Sequence, residues 1–191
     1  MRIGQERPYH HGHLRRAILA AAVEAIQRDG VDALSLRALA RDAGVSHAAP
    51  AHHFGDRSGL LTAVAAEGFD LLADALGEAF ERTGSFLEVG VAYVRFAVDH
   101  PAHFAVMYRP ELLRDDDPTL AAGRGRAGDV LYGGVGSAAP GAEALKAGVA
   151  AWSLVHGLAT LYLGGNLPQA LGDDPETIAR DAARFLFAPA G

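Results

Sequence analysis

The stretch Leu36-Arg37-Ala38-Leu39-Ala40-Arg41-Asp42-Ala43-Gly44-Val45-Ser46-His47 constrains the fold more than any other part of the chain. Ala40 and Gly44 lie one helical turn apart, so two short helices can approach closely across a tight turn. Gly44 suits the left-handed backbone that such a turn requires. The apolar Val45 can plug the crossing, and Ser46 is placed to cap the second helix. Helices joined in this way form a helix-turn-helix, whose second helix enters the DNA major groove. An ordinary helical hairpin can share the Ala-x-x-x-Gly spacing, so spacing alone leaves both readings open.

The remainder reads as further helices. Period-two alternation is nowhere sustained, and Ala, Leu, Arg and Glu dominate between Gly and Pro breaks. A helix is predicted over His13–Asp29, with Leu14, Ile18, Ala21 and Ala25 on one face and Gly30 as its stop. Ser35 can cap a short helix whose inner residues are Leu36, Leu39, Ala40 and Ala43. Another short helix runs from Ser46 to Phe54, and a longer one from Arg57 to Phe80. Leu87, Val91, Val94 and Val98 share a helical face up to the break at His100-Pro101. Pro101 can open a helix carrying Phe104 and Tyr108, and a helix is expected somewhere within 118–134. Glu143–Leu163 and Pro175–Phe187 complete an all-α fold. The division suggested is a three-helix head over 1–58 and a helical body over 59–191.

Charge alone misleads here. The 191 residues carry a formal net charge of -6, which argues at first sight against a nucleic-acid partner. Residues 1–60, however, hold 8 Arg against 6 Asp+Glu, a net of +2, and 6 of the 9 His. Residues 61–191 hold 9 Lys+Arg against 17 Asp+Glu, a net of -8. The acidity belongs to the body. A head so mildly basic implies a small non-specific electrostatic contribution to DNA binding, with a shallow dependence on salt.

Several chemistries are disfavoured. The chain has no cysteine, which removes disulfides, thiolate metal sites and thiol nucleophiles. No Gly-rich phosphate loop is present, and Asp115, Asp116 and Asp117 lack a companion ligand cluster. Ser153 and His156 lie on an apolar helix with no acid nearby, so an enzyme is not expected and no cofactor is implied. His10, His11 and His13 cluster, and His52 adjoins His53, but no carboxylate stands at a matching spacing and no metal site is expected. Protonation of these histidines should instead make DNA affinity sensitive to low pH. Ala147–Gly172 carries no formal charge, yet Ser153, His156, Thr160, Asn166 and Pro168 interrupt it. A soluble helix buried on most sides is expected, not a membrane span. Met1–His13 is polar, and Arg15, Arg16 and Glu24 interrupt Leu14–Ile26, so no signal peptide is seen and a cytoplasmic location is expected.

Two stretches carry a family resemblance. Leu34-Ser35-Leu36-Arg37-Ala38-Leu39-Ala40-Arg41-Asp42-Ala43-Gly44-Val45-Ser46, followed by His53-Phe54-Gly55-Asp56-Arg57-Ser58-Gly59-Leu60-Leu61, resembles the DNA-binding domain of TetR/AcrR transcriptional regulators. Trp152-Ser153-Leu154-Val155-His156-Gly157-Leu158 is similar to the Trp-His-Gly-containing C-terminal domain of one branch of that family. Pro8-Tyr9-His10-His11-Gly12 fits the same branch. The resemblance implies an N-terminal DNA reader and a C-terminal domain that dimerises and binds a small effector.

Carried over by position, the resemblance makes 46–53 the recognition helix. Ser46 caps it, and His47, Ala48, Ala49 and His52 face base edges. His52 and His53 can reach phosphates. Arg57 stands where the family usually has a Lys near the DNA backbone. Arg37 and Arg41 are either phosphate contacts or solvated surface residues. The family commonly has Tyr where this chain has Ala51, and Ala48, Ala49, Pro50 and Ala51 leave the helix poor in hydrogen-bond donors. Arg2 and Arg7 either form an arm into the minor groove or belong to a free tail.

In the body, Tyr93, Phe96, His100, His103, Phe104, Met107 and Tyr108 either line an apolar effector pocket or pack as ordinary core; the resemblance favours the pocket. Trp152 and His156 either touch that effector or pack the core. Leu154, Leu158 and Leu161 form a second apolar face on their helix, which suggests burial against a second subunit. The partners expected are therefore double-stranded operator DNA, a small-molecule effector, and a second copy of the chain joined through 143–163 and 175–187. A helical binding or scaffolding protein without DNA function is the alternative.

Overall fold

A computed structural model describes the backbone of residues 8–133 and 142–187, and the side chains of 13–133 and 143–184. Arg2 and Arg7 lie outside the described residues, as do the side chains of His10 and His11. Among the described residues there are α-helices and short 3₁₀ turns and no strand. The helices are α1 (Pro8–Asp29), α2 (Leu36–Asp42), α3 (Ala49–Phe54), α4 (Arg57–Thr83), α5 (Phe86–Asp99), α6 (Pro101–Met107), α7 (Pro118–Gly133), α8 (Ala142–Leu163) and α9 (Pro175–Phe187). Two compact units emerge. One is drawn from Met1–Ala66 and Ala102–Leu120, the other from Glu67–Pro101 and Ala121–Gly191.

In the first unit, α1 buries Ile18, Leu19, Ala22 and Ile26. The Ile18-Ala22-Ile26 stripe is the inward one, and Leu14, Ala21 and Ala25 lie at its margin. α2 turns Leu39 and Ala40 inward and ends in a Schellman motif: Val45 N–H donates to the Ala40 carbonyl at 2.9 Å and Gly44 N–H to the Arg41 carbonyl at 3.1 Å. Gly44 takes φ +65°, the left-handed conformation expected of it. Ser35 occupies the N-cap of α2 in extended backbone, but its side chain makes no capping bond.

The next helix starts later than the sequence suggests. Ser46–Ala48 form a turn, closed by Ala49 N–H donating to the Ser46 carbonyl at 3.0 Å, and Ala48 is the N-cap of α3. Pro50 explains the shift. A helix capped by Ser46 would place Pro50 at its fourth position, where its N–H would be needed; starting at Ala49 keeps it in the first turn.

The α3–α4 junction is the tightest point of this unit. Gly55 ends α3 at φ +81°, and Asp56 caps α4, its Oδ1 accepting the Gly59 N–H at 2.9 Å. A Cβ at Gly59 would overlap the carbonyl oxygen of Phe54. Residues 102–120 complete the unit with Ala102, Val106, Met107, Leu113 and Leu120 buried.

In the second unit, α5 packs against both α8 and α9. Its buried arc therefore exceeds the single face read from sequence: Val89, Tyr93, Phe96 and Ala97 join Val91 and Val94 inside. Gly90 lets Val155 of α8 approach, and Gly148 of α8 lies against the Tyr132 ring of α7. Arg180 of α9 grips Glu88 of α5 with two bonds of 3.0 and 2.9 Å, and this pairing holds the Glu88 carboxyl below the ordinary range. The sequence of α8 predicts burial on most sides. In the single chain only one side is buried: Gly148, Val155 and Ala159 face inward, while Leu145, Val149, Leu161 and Leu163 are exposed. Glu143–Leu163 is the one described helix long and apolar enough to cross a membrane by length and composition.

Two glycine substitutions should separate tight from open positions. Gly59→Ala forces a methyl into the Phe54 carbonyl and should lower stability by about 3 kcal/mol. Gly77→Ala, in the interior of α4 with nothing near its added Cβ, should raise it by about 0.5–1 kcal/mol. Urea unfolding midpoints of both variants against wild type test the pair.

Candidate nucleic-acid interface and effector-domain cluster

The head presents an outward set of polar and small residues over a closed apolar base. Arg37 and Arg41 of α2, Ser46, His47 and Ala48 of the turn, and Ala51 and His52 of α3 are exposed. His53 is half-buried, its ring 6.4 Å from that of Phe54. Ala49 differs from expectation. It is 9% exposed and belongs to the packing face with Pro50 and Phe54. Its methyl turns inward beside Pro50, so the donor-poor outward surface consists of Ala48, Ala51 and the two histidines beside them.

Arg57 also has another task. Its Nε donates to the Leu34 carbonyl at 3.1 Å and its Nη2 to the Val31 carbonyl at 2.8 Å. The guanidinium thereby ties the start of α4 to the loop between α1 and α2, satisfying carbonyls that lie outside any helix. Arg41 lies 3.4 Å from Asp42, and Arg28 pairs with Asp29 at 2.7 Å. Arg15, not singled out from sequence, sits over the Phe54 ring at 5.0 Å and joins α1 to the end of α3.

A second group of contacts joins residues whose pairing the sequence pattern does not show. Arg114 Nη2 lies 3.0 Å from Asp56 Oδ1, and its backbone N–H donates to Thr62 Oγ1 at 2.9 Å. Ser58 Oγ donates to the Leu112 carbonyl at 2.9 Å, and Arg109 Nη1 pairs with Asp32 at 3.2 Å. The Asp56 carboxyl is held below its ordinary pKa, first by the Gly59 N–H and then by Arg114. No local pattern connects residues so far apart along the chain.

The residues expected around an effector divide between the units. Tyr93, Phe96, His100, Trp152 and His156 belong to the second, and His103, Phe104, Met107 and Tyr108 to the first. His103, Phe104 and Met107 are buried, and the Phe104 and Tyr108 rings meet at 5.5 Å. In the second unit Phe96 is buried with the His100 ring 5.1 Å away. A groove of about 380 Å³ between α4 and α7 holds none of these residues; Asp74, Glu78, Glu81 and Asp129 make it acidic, around Arg126.

Tyr93, Trp152 and His156 form one cluster. Trp152 Nε1–H donates to the Tyr93 hydroxyl at 3.2 Å, and that hydroxyl lies 2.9 Å from His156 Nδ1. The hydroxyl oxygen accepts from Trp152, and its bond to Nδ1 runs in either direction according to the imidazole tautomer. Tyr93 is fully buried, and burial lowers the His156 pKa below the ordinary value. These bonds fasten α8 to α5 in an otherwise apolar contact.

Comparison with known proteins agrees with this architecture. Residues 18–64 match the family described as bacterial regulatory proteins, tetR family, and residues 86–186 match the tetracyclin repressor-like C-terminal domain. The chain belongs to the TetR family; it is a DNA-binding transcriptional regulator and not an enzyme. Ligand binding, repression and dimerisation are typical of that family. An uncharacterized HTH-type transcriptional regulator from Mycobacterium tuberculosis is 28% identical over 154 residues, 79% of this chain and 71% of the relative. The structure of a protein with unknown function from Rhodococcus sp. RHA1 is 39% identical, covers 94% of this chain and 96% of its own, and superposes with a TM-score of 0.78. The TetR family transcriptional regulator PfmR from Thermus thermophilus, 21% identical, shares the fold with a TM-score of 0.69 over 91% of this chain and 99% of its own.

Two outcomes follow for the cluster. Tyr93→Phe leaves Trp152 Nε1 and His156 Nδ1 without that hydroxyl and should cost about 1–3 kcal/mol. Fluorescence of Trp152, the only tryptophan, reports the unfolding directly. His156 binds its proton less readily folded than unfolded, so its contribution is neutral above about pH 6.5 and increasingly destabilising as pH falls below it. The urea midpoint of wild type should drop on acidification through that range, and His156→Gln should drop less steeply.

Proposed function

We propose that this regulator is a homodimeric repressor, with 1–58 reading an operator and 59–191 dimerising and responding to a small, mostly apolar effector that releases the DNA. The observation that carries the DNA-reading assignment is the orientation of the head. Arg37, Arg41, His47, Ala48, Ala51 and His52 are exposed together, above Leu39, Ala40, Ala49 and Phe54, which are buried. Arg37 and Arg41 serve phosphates, and His47, Ala48 and His52 face base edges, with Ala methyls suited to thymine methyls. Ser46 and His53 flank them, and Arg57 acts by bracing the head from behind. Two heads must meet half-sites about 34–36 Å apart or a multiple of that, which is why a dimer is required.

Exposed apolar residues on α8 support that dimer, since Leu145, Val149, Leu161 and Leu163 are left uncovered by the single chain. α9, which packs against α5 and α8, is the second helix assigned to that interface. The effector is assigned to the second unit at Tyr93, Phe96, Trp152 and His156, an apolar setting with a few polar groups. By preferring one arrangement of the dimer, it shifts DNA affinity. A cytoplasmic location accords with this role.

The test has two arms. Wild-type protein should enrich a defined palindrome from a randomised duplex library, and Arg37→Ala with Arg41→Ala should weaken binding to it while reducing the salt slope by about 2. Failure to enrich any sequence, or an unchanged slope, would overturn the assignment. For the dimer, Leu145→Asp with Val149→Asp should convert the sedimenting species to monomer without loss of helical signal.

A further inference from the structure

We propose that Arg114 is a positioning residue for DNA reading, holding the recognition helix α3 through the α3–α4 turn from a segment outside the helix-turn-helix. This rests on α3 being the reading helix, as proposed above. Residues 109–114 follow α6 and run along the head as a strap attached at both ends. Arg109 fastens one end to Asp32 at 3.2 Å, beside the Val31 and Leu34 carbonyls that Arg57 binds. Arg114 fastens the other to Asp56 at 3.0 Å. Between them the Leu112 carbonyl accepts from Ser58 Oγ at 2.9 Å. The Arg114 N–H donates to Thr62 Oγ1, whose own proton goes to the Ser58 carbonyl at 2.7 Å.

The guanidinium lies against backbone as well as charge. Its atoms stand 3.0 Å from where a Cβ would be at Gly55 and at Gly59. Gly55 is the C-cap of α3 and Gly59 lies within the first turn of α4, so Arg114 covers both sides of the turn between the two helices. Asp56 Oδ1 is shared between Arg114 and the Gly59 N–H that it caps, which couples the strap to the start of α4. An exposed ion pair contributes little to stability by itself. That makes the function separable: the fold should persist without Arg114 while α3 loses its fixed presentation.

The experiment compares two DNA probes, the duplex that wild type enriches and an unrelated duplex of equal length. Arg114→Gln should weaken binding to the enriched duplex about fivefold, the scale of one lost charge-assisted hydrogen bond, and leave the unrelated duplex unaffected. Salt slopes on both should stay at wild-type values, and so should the melting temperature. Asp56→Asn, which keeps an acceptor for the Gly59 N–H and loses the charge, should repeat the loss of discrimination, and it decides the matter if Arg114→Gln does not fold. Equal weakening on both duplexes would make Arg114 merely structural, and a slope lowered by about one would make it a phosphate contact. Either result, or unchanged discrimination, overturns the proposal. Failure of wild type to enrich any duplex would instead overturn the reading of α3 itself.

Discussion

The carbonyl oxygen of Phe54 fills the space a side chain at Gly59 would need, and the geometry of the DNA-reading head follows from that contact. α3 is six residues long, far below the length at which an isolated helix holds in water. It lacks a side-chain N-cap and is built from Ala, Pro and His, so its stability comes from what it packs against. Phe54 anchors its end in the core, Arg15 covers that ring from α1, and Gly55 turns the chain at positive φ directly into the Asp56 cap of α4. The direction in which His47, Ala48 and His52 point is thus fixed by a backbone-to-backbone approach. The side chains that would read DNA contribute little to their own placement.

How much of this is legible in the sequence depends on the range of the interaction. The α2–α3 turn is readable because its signals are local: Gly44 supplies the left-handed residue, and Val45 N–H closes the Schellman bond to Ala40 five residues back. The helix breaks at Gly30, Pro101 and Pro175 are readable for the same reason. The start of α3 is easily misplaced because Ser46 is an attractive cap, and the prohibition set by Pro50 acts from the other side. Ala49 turns inward against expectation for the same cause, since a three-residue shift in the start of a helix rotates every side chain in it. The charge of Arg57 points to DNA; its carbonyl partners, Val31 and Leu34, are visible only once the loop is folded against α4. The partners of Arg114 are beyond reach, since nothing local marks Arg114 as the mate of Asp56.

In the second unit, sequence patterning finds the right residues without their relation. Trp152 and His156 stand out as polar-tipped groups on an apolar helix, and Tyr93 as one aromatic among many. The fold joins them through one hydroxyl that accepts from the indole and shares a hydrogen bond with the imidazole. A network of this kind favours one α5–α8 register, because a slip of one residue would break the bonds that meet at the Tyr93 hydroxyl. The apolar remainder of α8 imposes no such register. Its exposed side, with Leu145 and Val149 uncovered, is free to be matched by another surface.

The formal charge of the head overstates the field it offers to DNA. Arg28 faces Asp29, Arg41 faces Asp42, Arg57 is bonded to two carbonyls, and Arg15 lies over an aromatic ring. Each cation is partly compensated within the head before any phosphate arrives. Counterion release scales with the phosphates neutralised, so the described part of the head, where these four cations are already engaged, gains less from sequence-independent attraction than its formal charge suggests. Discrimination must then rest on fit: on how rigidly a donor-poor surface of alanines and histidines is held against the groove. A loosely presented helix of this composition has few hydrogen-bond donors to fall back on. This is why contacts behind α3, at Gly59 and Arg114, weigh as heavily as any side chain on its outer face.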